Sequence, residues 1–167
     1  MKRYILGPLL LTNALGFDTM GVPQSSGHVT VRDDGSQIFY WHFPHQPKQG
    51  EDLPEEKVPL LIWLQGGPGS STIKDAMSLN GPYFYGPDGL RLNEHSWTQF
   101  ANMVFVDNPI GVGYSQSASK AGLSSSMTQI SEDFNAFLTQ FFAGEGAKYK
   151  SSPFYISGAS YAGKYTA

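Results

Sequence analysis

The apolar positions of this chain gather into short continuous runs, with one helical stripe between them. Val58-Pro-Leu-Leu-Ile-Trp-Leu64 and Met103-Val-Phe-Val106 are runs of the kind a strand shows when both faces are buried. A third run, Phe154-Tyr-Ile156, leads into the small residues Ser157-Gly-Ala-Ser160. Upstream, His28-Val-Thr-Val31 and Gln37-Ile-Phe-Tyr-Trp41 flank Asp34-Gly35, a pair that tolerates positive φ, and this predicts a hairpin. The period changes further on. Met127, Ile130, Phe134, Phe137, Leu138 and Phe141 recur at helical spacing and predict a helix from Ser124 to Phe142. The serines at 124–126 suit its N-cap, and Gly144 and Gly146 suit its end. A shorter helix is expected over Ile73 to Leu79, stopped by Asn80-Gly81-Pro82. Pro44 to Lys57 reads as a solvated loop. Tyr83 to Thr98 reads as another, whose aromatics either line a groove or pack.

The order is therefore hairpin, strand, glycine-rich loop, strand, helix, strand, serine turn and the start of a last helix. Buried strands alternating with helices imply an α/β domain with a mostly parallel sheet and right-handed crossovers. Chemistry in such sheets sits at the carboxyl ends of the strands.

Composition narrows the classes. The chain has 167 residues, enough for one domain with a real core. Its net charge is −3 with no long basic run, which points away from nucleic acid. It has no cysteine, so no disulfide framework and no thiolate metal site. His28, His42, His45 and His95 show no metal-ligand spacing, and no metal or cofactor is expected. Lys2-Arg3 followed by an apolar run to Leu11, with Ala14-Leu15-Gly16 beyond, fits a signal-like segment or an ordered arm. That run is too short to span a membrane. Residues 1–25 are set apart on this basis from a domain over 26–167.

Two stretches carry candidate chemistry. At Gly158-Ala-Ser-Tyr-Ala-Gly163 a strand gives way to a helix through small residues. A serine at such a turn is pushed out over the sheet edge, and the following N–H faces the same point. The fifth position of the usual G-x-S-x-G pattern is Ala162, with glycine one place later. The alternative is an ordinary turn. Gln65-Gly-Gly-Pro-Gly-Ser-Ser71 follows a buried strand directly, where adjacent glycines can bring backbone N–H groups to a ligand or simply turn the chain. Asp107, at a strand end, reads as a structural carboxylate.

With Trp63-Leu-Gln-Gly-Gly-Pro-Gly69, Asp107-Asn-Pro-Ile-Gly-Val-Gly-Tyr-Ser115 and Gly158-Ala-Ser-Tyr-Ala-Gly-Lys-Tyr165 in order, the chain resembles the N-terminal portion of a serine carboxypeptidase. That family has the α/β-hydrolase fold. Gln65, Asn108 and Lys164 bring the resemblance nearest to the vitellogenic-like branch. The resemblance implies that Ser160 is the nucleophile and that the N–H groups of Gly67 and Tyr161 form the oxyanion hole. It implies that Gln65 and the Gly66 backbone hold the terminal carboxylate of a peptide substrate, with Trp63 shaping that pocket. It also implies a location in the secretory pathway, the lysosome or vacuole, or outside the cell.

The chain departs from the family in three places. The triad acid and histidine are expected after the serine, and all four histidines precede Ser160. No competent triad is therefore expected within these residues, and a partner chain or further segment must carry Asp and His. The family's glutamates fall at Ala159 and, by register, Leu79, and their loss should weaken exopeptidase selectivity and flatten its acid preference. The family's glycine-loop cysteine is Ser70 or Ser71 here. Two other functions stay open: a non-catalytic binding protein that keeps the hydrolase groove, and an acyltransferase of the same superfamily.

Overall fold

The computed structural model describes residues 20–48, 50 and 53–167. The signal-like run and its cleavage site lie outside the described residues. A main sheet holds β1 (Ser25–Thr30), β2 (Gln37–Phe43), β3 (Leu60–Leu64), β6 (Asn102–Val106) and β7 (Phe154–Gly158), in spatial order β1-β2-β6-β3-β7. A separate hairpin is made by β4 (Tyr83–Gly86) and β5 (Gly89–Leu92). The helices are α1 (Ile73–Ala76), α2 (Met127–Ala143) and α3 (Ala162–Tyr165).

Strand β3 lies between β6 and β7 and is parallel to both, with Ile62 opposite Val104 on one side and Ile156 on the other. Alternation sends its side chains to two cores. Leu60, Ile62 and Leu64 join Val104, Val106 and the α2 stripe of Ile130, Phe134, Phe137 and Phe141. Trp63 turns to the opposite face with Phe43, Met103, Phe105, Ala76 and Tyr83. Both faces of β3 and β6 are thus covered, as their unbroken apolar runs require.

The sheet is less parallel than its sequence pattern suggests. β1 pairs with β2, and β2 with β6, both antiparallel, so only the β6-β3-β7 side is parallel. The first antiparallel pair follows from the short hairpin, which can join strands in no other sense. Its turn is also displaced. Gly35 N–H donates to Arg32 O, so Asp33-Asp34 form the corner and Gly35 follows at φ +89°. Asp34 Oδ1 accepts the Ser36 N–H and closes the turn.

Two local expectations change. The helix read over Ile73 to Leu79 stops at Ala76, because the chain doubles back onto it. The Leu79 and Gly81 N–H groups both donate to Asp75 O, and a Cβ on Gly81 would overlap the Ala76 backbone. The loop read over Tyr83 to Thr98 contains the β4-β5 hairpin, turned by Pro87-Asp88 with Gly89 at φ +95°. Pro-Asp-Gly between apolar runs is a turn with a mechanism, and its signal was present in the chain. Helix α2 matches its stripe, with Ser126 Oγ accepting the Gln129 N–H as N-cap. Its buried Asp133 is held by Arg32, whose Nε and Nη2 donate at 2.7 and 2.6 Å.

Candidate active site

Strand β7 ends against β3 so closely that only glycine fits at its last position. A Cβ on Gly158 would overlap the Leu64 carbonyl oxygen and stand 2.6 Å from the Ala162 methyl. The Ala159 N–H donates to Leu64 O at 3.1 Å, and the chain then reverses at once into α3, with Gly163 N–H donating to Ser160 O. Ser160 takes the corner at φ +59°, one of two described non-glycine residues with positive φ. Holding an L-residue there costs about 1–3 kcal/mol, which the surrounding structure must offset. Its side chain is exposed above the carboxyl ends of β3 and β7.

The glycine loop closes on this corner. A Cβ on Gly66 would overlap the Tyr161 amide nitrogen, and would lie 2.9 Å from Ala159 O and 3.0 Å from Ser160 Cβ. Among the described residues, neither the Gly67 nor the Tyr161 N–H donates a hydrogen bond. Gly67 sits at φ +120°, a conformation other residues avoid. The structure thus brings Gly66, Ser160 and Tyr161 together and leaves two main-chain donors of this region unspent.

The other residues singled out in the sequence have partners of their own. Trp63 Nε1 donates to Asp75 Oδ2 at 2.8 Å, and its ring meets Trp97 edge-on at 5.3 Å. Gln65 Nε2 donates to the same Asp75 oxygen at 2.6 Å. Gln65 Oε1 accepts the Gly66 N–H at 2.7 Å, so that N–H is not free to meet a carboxylate while the contact lasts. Asp75 is only 2 % exposed and was not singled out in the sequence, since Ile73-Lys-Asp-Ala76 matches no motif. Leu79, where the family's acid falls by register, is 54 % exposed, and the acid beside Trp63 and Gln65 is Asp75.

Asp107 is buried and structural. Its Oδ1 accepts from Ser71 Oγ, Thr72 N and Thr72 Oγ1, at 2.8, 2.8 and 3.0 Å. Its Oδ2 accepts the Tyr114 N–H at 2.9 Å. It therefore ties the end of the glycine loop to the loop after β6. Three of the four histidines are engaged away from the serine. His28 Nε2 meets Tyr114 O, His45 Nε2 meets Gln99 O, and His42 lies between Ser25 Oγ and Tyr149 OH. Among the described residues, Ser160 Oγ has no histidine partner within hydrogen-bonding distance.

A parallel-sided sheet, a sharp serine corner at the end of β7 and a glycine loop after β3 define an α/β-hydrolase fold. The serine carboxypeptidase family model matches residues 16–167, and the chain belongs to that family. A serine carboxypeptidase family member from Dictyostelium discoideum is 41% identical over 145 residues, covering 85% of this chain and 33% of that protein. The vitellogenic carboxypeptidase of Aedes aegypti is 36% identical over 146 residues, covering 86% of this chain and 30% of its own length. The crystal structure of a prohormone-processing carboxypeptidase from Saccharomyces cerevisiae aligns with a TM-score of 0.76 at 28% identity, over 89% of this chain and 33% of that one. The chain spans about a third of the length of these relatives.

Proposed function

We propose that this chain supplies the nucleophile and oxyanion hole of a serine carboxypeptidase. The observation that carries the reading is the exposed Ser160 corner, held at positive φ with Gly66 pressed against Tyr161 N and Ser160 Cβ. In this reading Ser160 Oγ attacks the carbonyl carbon of the last peptide bond and gives its proton to a histidine. That histidine and its orienting acid come from a segment or second chain outside residues 1–167. The Gly67 and Tyr161 N–H groups receive the developing oxyanion, each worth about 3–4 kcal/mol of transition-state stabilisation. Collapse of the tetrahedral intermediate breaks the C–N bond and releases the terminal residue, its amine taking the proton from the histidine. Water then cleaves the acyl-enzyme ester by the same steps in reverse sense. Trp63, Gln65 and Gly66 shape the pocket for the substrate's terminal carboxylate, and the enzyme works in the secretory pathway, the lysosome or vacuole, or outside the cell.

The test is co-expression with a complementary segment that carries the acid and histidine, followed by reaction with a fluorophosphonate probe. Labelling of the assembled enzyme, abolished by Ser160→Ala, is the expected result. Continued inertness of a folded assembly overturns the reading. The replacement of the family's glutamates by Ala159 and, by register, Leu79 favours one competitor, a non-catalytic binding protein. Peptide binding by the isolated monomer, unaffected by Ser160→Ala and without labelling in the assembly, would select it. Product analysis with an activated acyl ester separates hydrolysis from acyl transfer.

A further inference from the structure

The glycine loop is held at both ends by buried carboxylates, and only the far end, at Asp107, belongs to a motif of the sequence. The near end is Asp75. Its Oδ2 takes hydrogen bonds from Trp63 Nε1 and Gln65 Nε2 at 2.8 and 2.6 Å. Since a carboxylate only accepts, Gln65 must present its NH₂ to Asp75 and its carbonyl oxygen to the other side. There Oε1 takes the Gly66 N–H at 2.7 Å. A chain of bonds therefore runs from the Gly66 N–H through the Gln65 amide to Asp75, each polarising the next. Gly66 is the residue on which an added Cβ would meet Tyr161 N and Ser160 Cβ.

We infer that Asp75 is a positioning residue for the Ser160 site: acting through Gln65, it sets the Gly66 peptide against the serine corner and keeps the Gly67 N–H on target. This rests on the proposed function for its catalytic consequence, but not for its structural one. The two donors are neutral side chains of Trp63 and Gln65, both ten or more residues from Asp75, so no local preference would bring them to one point without the carboxylate. Asp75→Asn keeps the shape while removing the charge and placing an NH₂ where an acceptor was. Gln65→Leu cuts the relay and leaves the bond from Trp63 to Asp75 in place.

Two measurements decide it. Hydrogen exchange on the folded chain should quicken at the Gly66 amide in both variants, while the Thr72 amide, held by Asp107, stays as protected as before. In the assembled enzyme, kcat per active site, counted by the fluorophosphonate burst, should fall about a hundredfold in Asp75→Asn, with KM rising as well because Trp63 and Gln65 lose their shared acceptor. Counting sites separates this from a mere loss of folded protein. Unchanged Gly66 exchange in either variant, or unchanged kcat per counted site, overturns the inference. Should the unmodified assembly fail to label, the proposed function falls. Asp75 is then judged by exchange alone, where a rise confined to Gly66 sustains the positioning role and equal rises at Gly66 and Thr72 refute it.

Discussion

Gly66→Ala tests the closeness of the glycine loop to the serine corner by adding one methyl group. Gly66 does not need glycine for its own backbone, since its φ lies outside the positive region, so any effect comes from contact. The new Cβ would overlap Tyr161 N, stand 2.9 Å from Ala159 O and 3.0 Å from Ser160 Cβ, against an ordinary contact starting at 3.4 Å. All three neighbours are backbone or the first atom of a side chain, so none can swing away. The loop and the corner must part by about 1 Å, and misplacement on that scale costs about a hundredfold in rate. Overpacking of this kind also costs about 1–3 kcal/mol of stability. The assay is the rate of fluorophosphonate labelling of the assembled enzyme, with thermal melting of the chain beside it. Gly163→Ala is the control: its Cβ meets nothing within 4 Å, and it lies in helix α3. That change should leave labelling intact and raise stability by up to about 1 kcal/mol. A Gly66→Ala protein that labels and melts like the unmodified one would falsify the packing on which the oxyanion reading depends.

Three further outcomes follow from buried groups. Arg32→Ala removes the charge partner of the Asp133 carboxylate, 3 % exposed, leaving it only the Ser124 hydroxyl, and should cost about 3–5 kcal/mol, read from the shift of the denaturation midpoint; a shift near zero would show that water reaches Asp133. Phe137→Ala empties a site stacked between Phe134 and Phe141 and should cost about 3–5 kcal/mol by the same measurement, with a loss below 1 kcal/mol counting against the described core. Burial, and then the Lys148 charge, push the His42 imidazole down from 6.5 to about 3, although Glu145 Oε1 lies 3.9 Å from its Nδ1. Burial prevails because that carboxylate is itself partly solvated and is bridged by Ser25 Oγ. The unfolded chain takes up a proton below pH 6.5 that the folded chain refuses, so stability falls progressively from there toward pH 3, by about 2 kcal/mol at pH 5. His42→Gln should flatten that part of the melting curve against pH, and an unchanged slope would place the titration elsewhere.

What could be read from the chain, and what could not, divides along a physical line. β3, β6, β7 and α2 were legible because burial on both faces, or along one helical stripe, stamps a local period on the sequence. The serine corner was legible for a related reason: Gly158 and Ala162 are small because Leu64 O and each other stand where larger side chains would go. Turn chemistry is written in the chain but does not by itself fix the corner. Asp34-Gly35 predicts a turn one residue beyond the Asp33-Asp34 corner, and Pro87-Asp88-Gly89 turns a hairpin inside a stretch whose composition reads as loop.

The hidden part is polar and non-local, and the two buried carboxylates of the glycine loop show why. Asp107 drew notice because it ends an apolar run, so its position was visible even though its partners Ser71, Thr72 and Tyr114 were not. Asp75 ends nothing. Its meaning comes from Trp63 and Gln65, twelve and ten residues back across a loop, whose donors converge on one oxygen only once β3 and α1 have packed. By register, leucine stands at position 79 where the family has an acid. The folded chain sets the Asp75 carboxylate against Trp63 and Gln65. Register compares positions along a chain, whereas a hydrogen bond compares points in space, and a short helix that stops after Ala76 brings Asp75 to a point that no spacing rule had assigned to it.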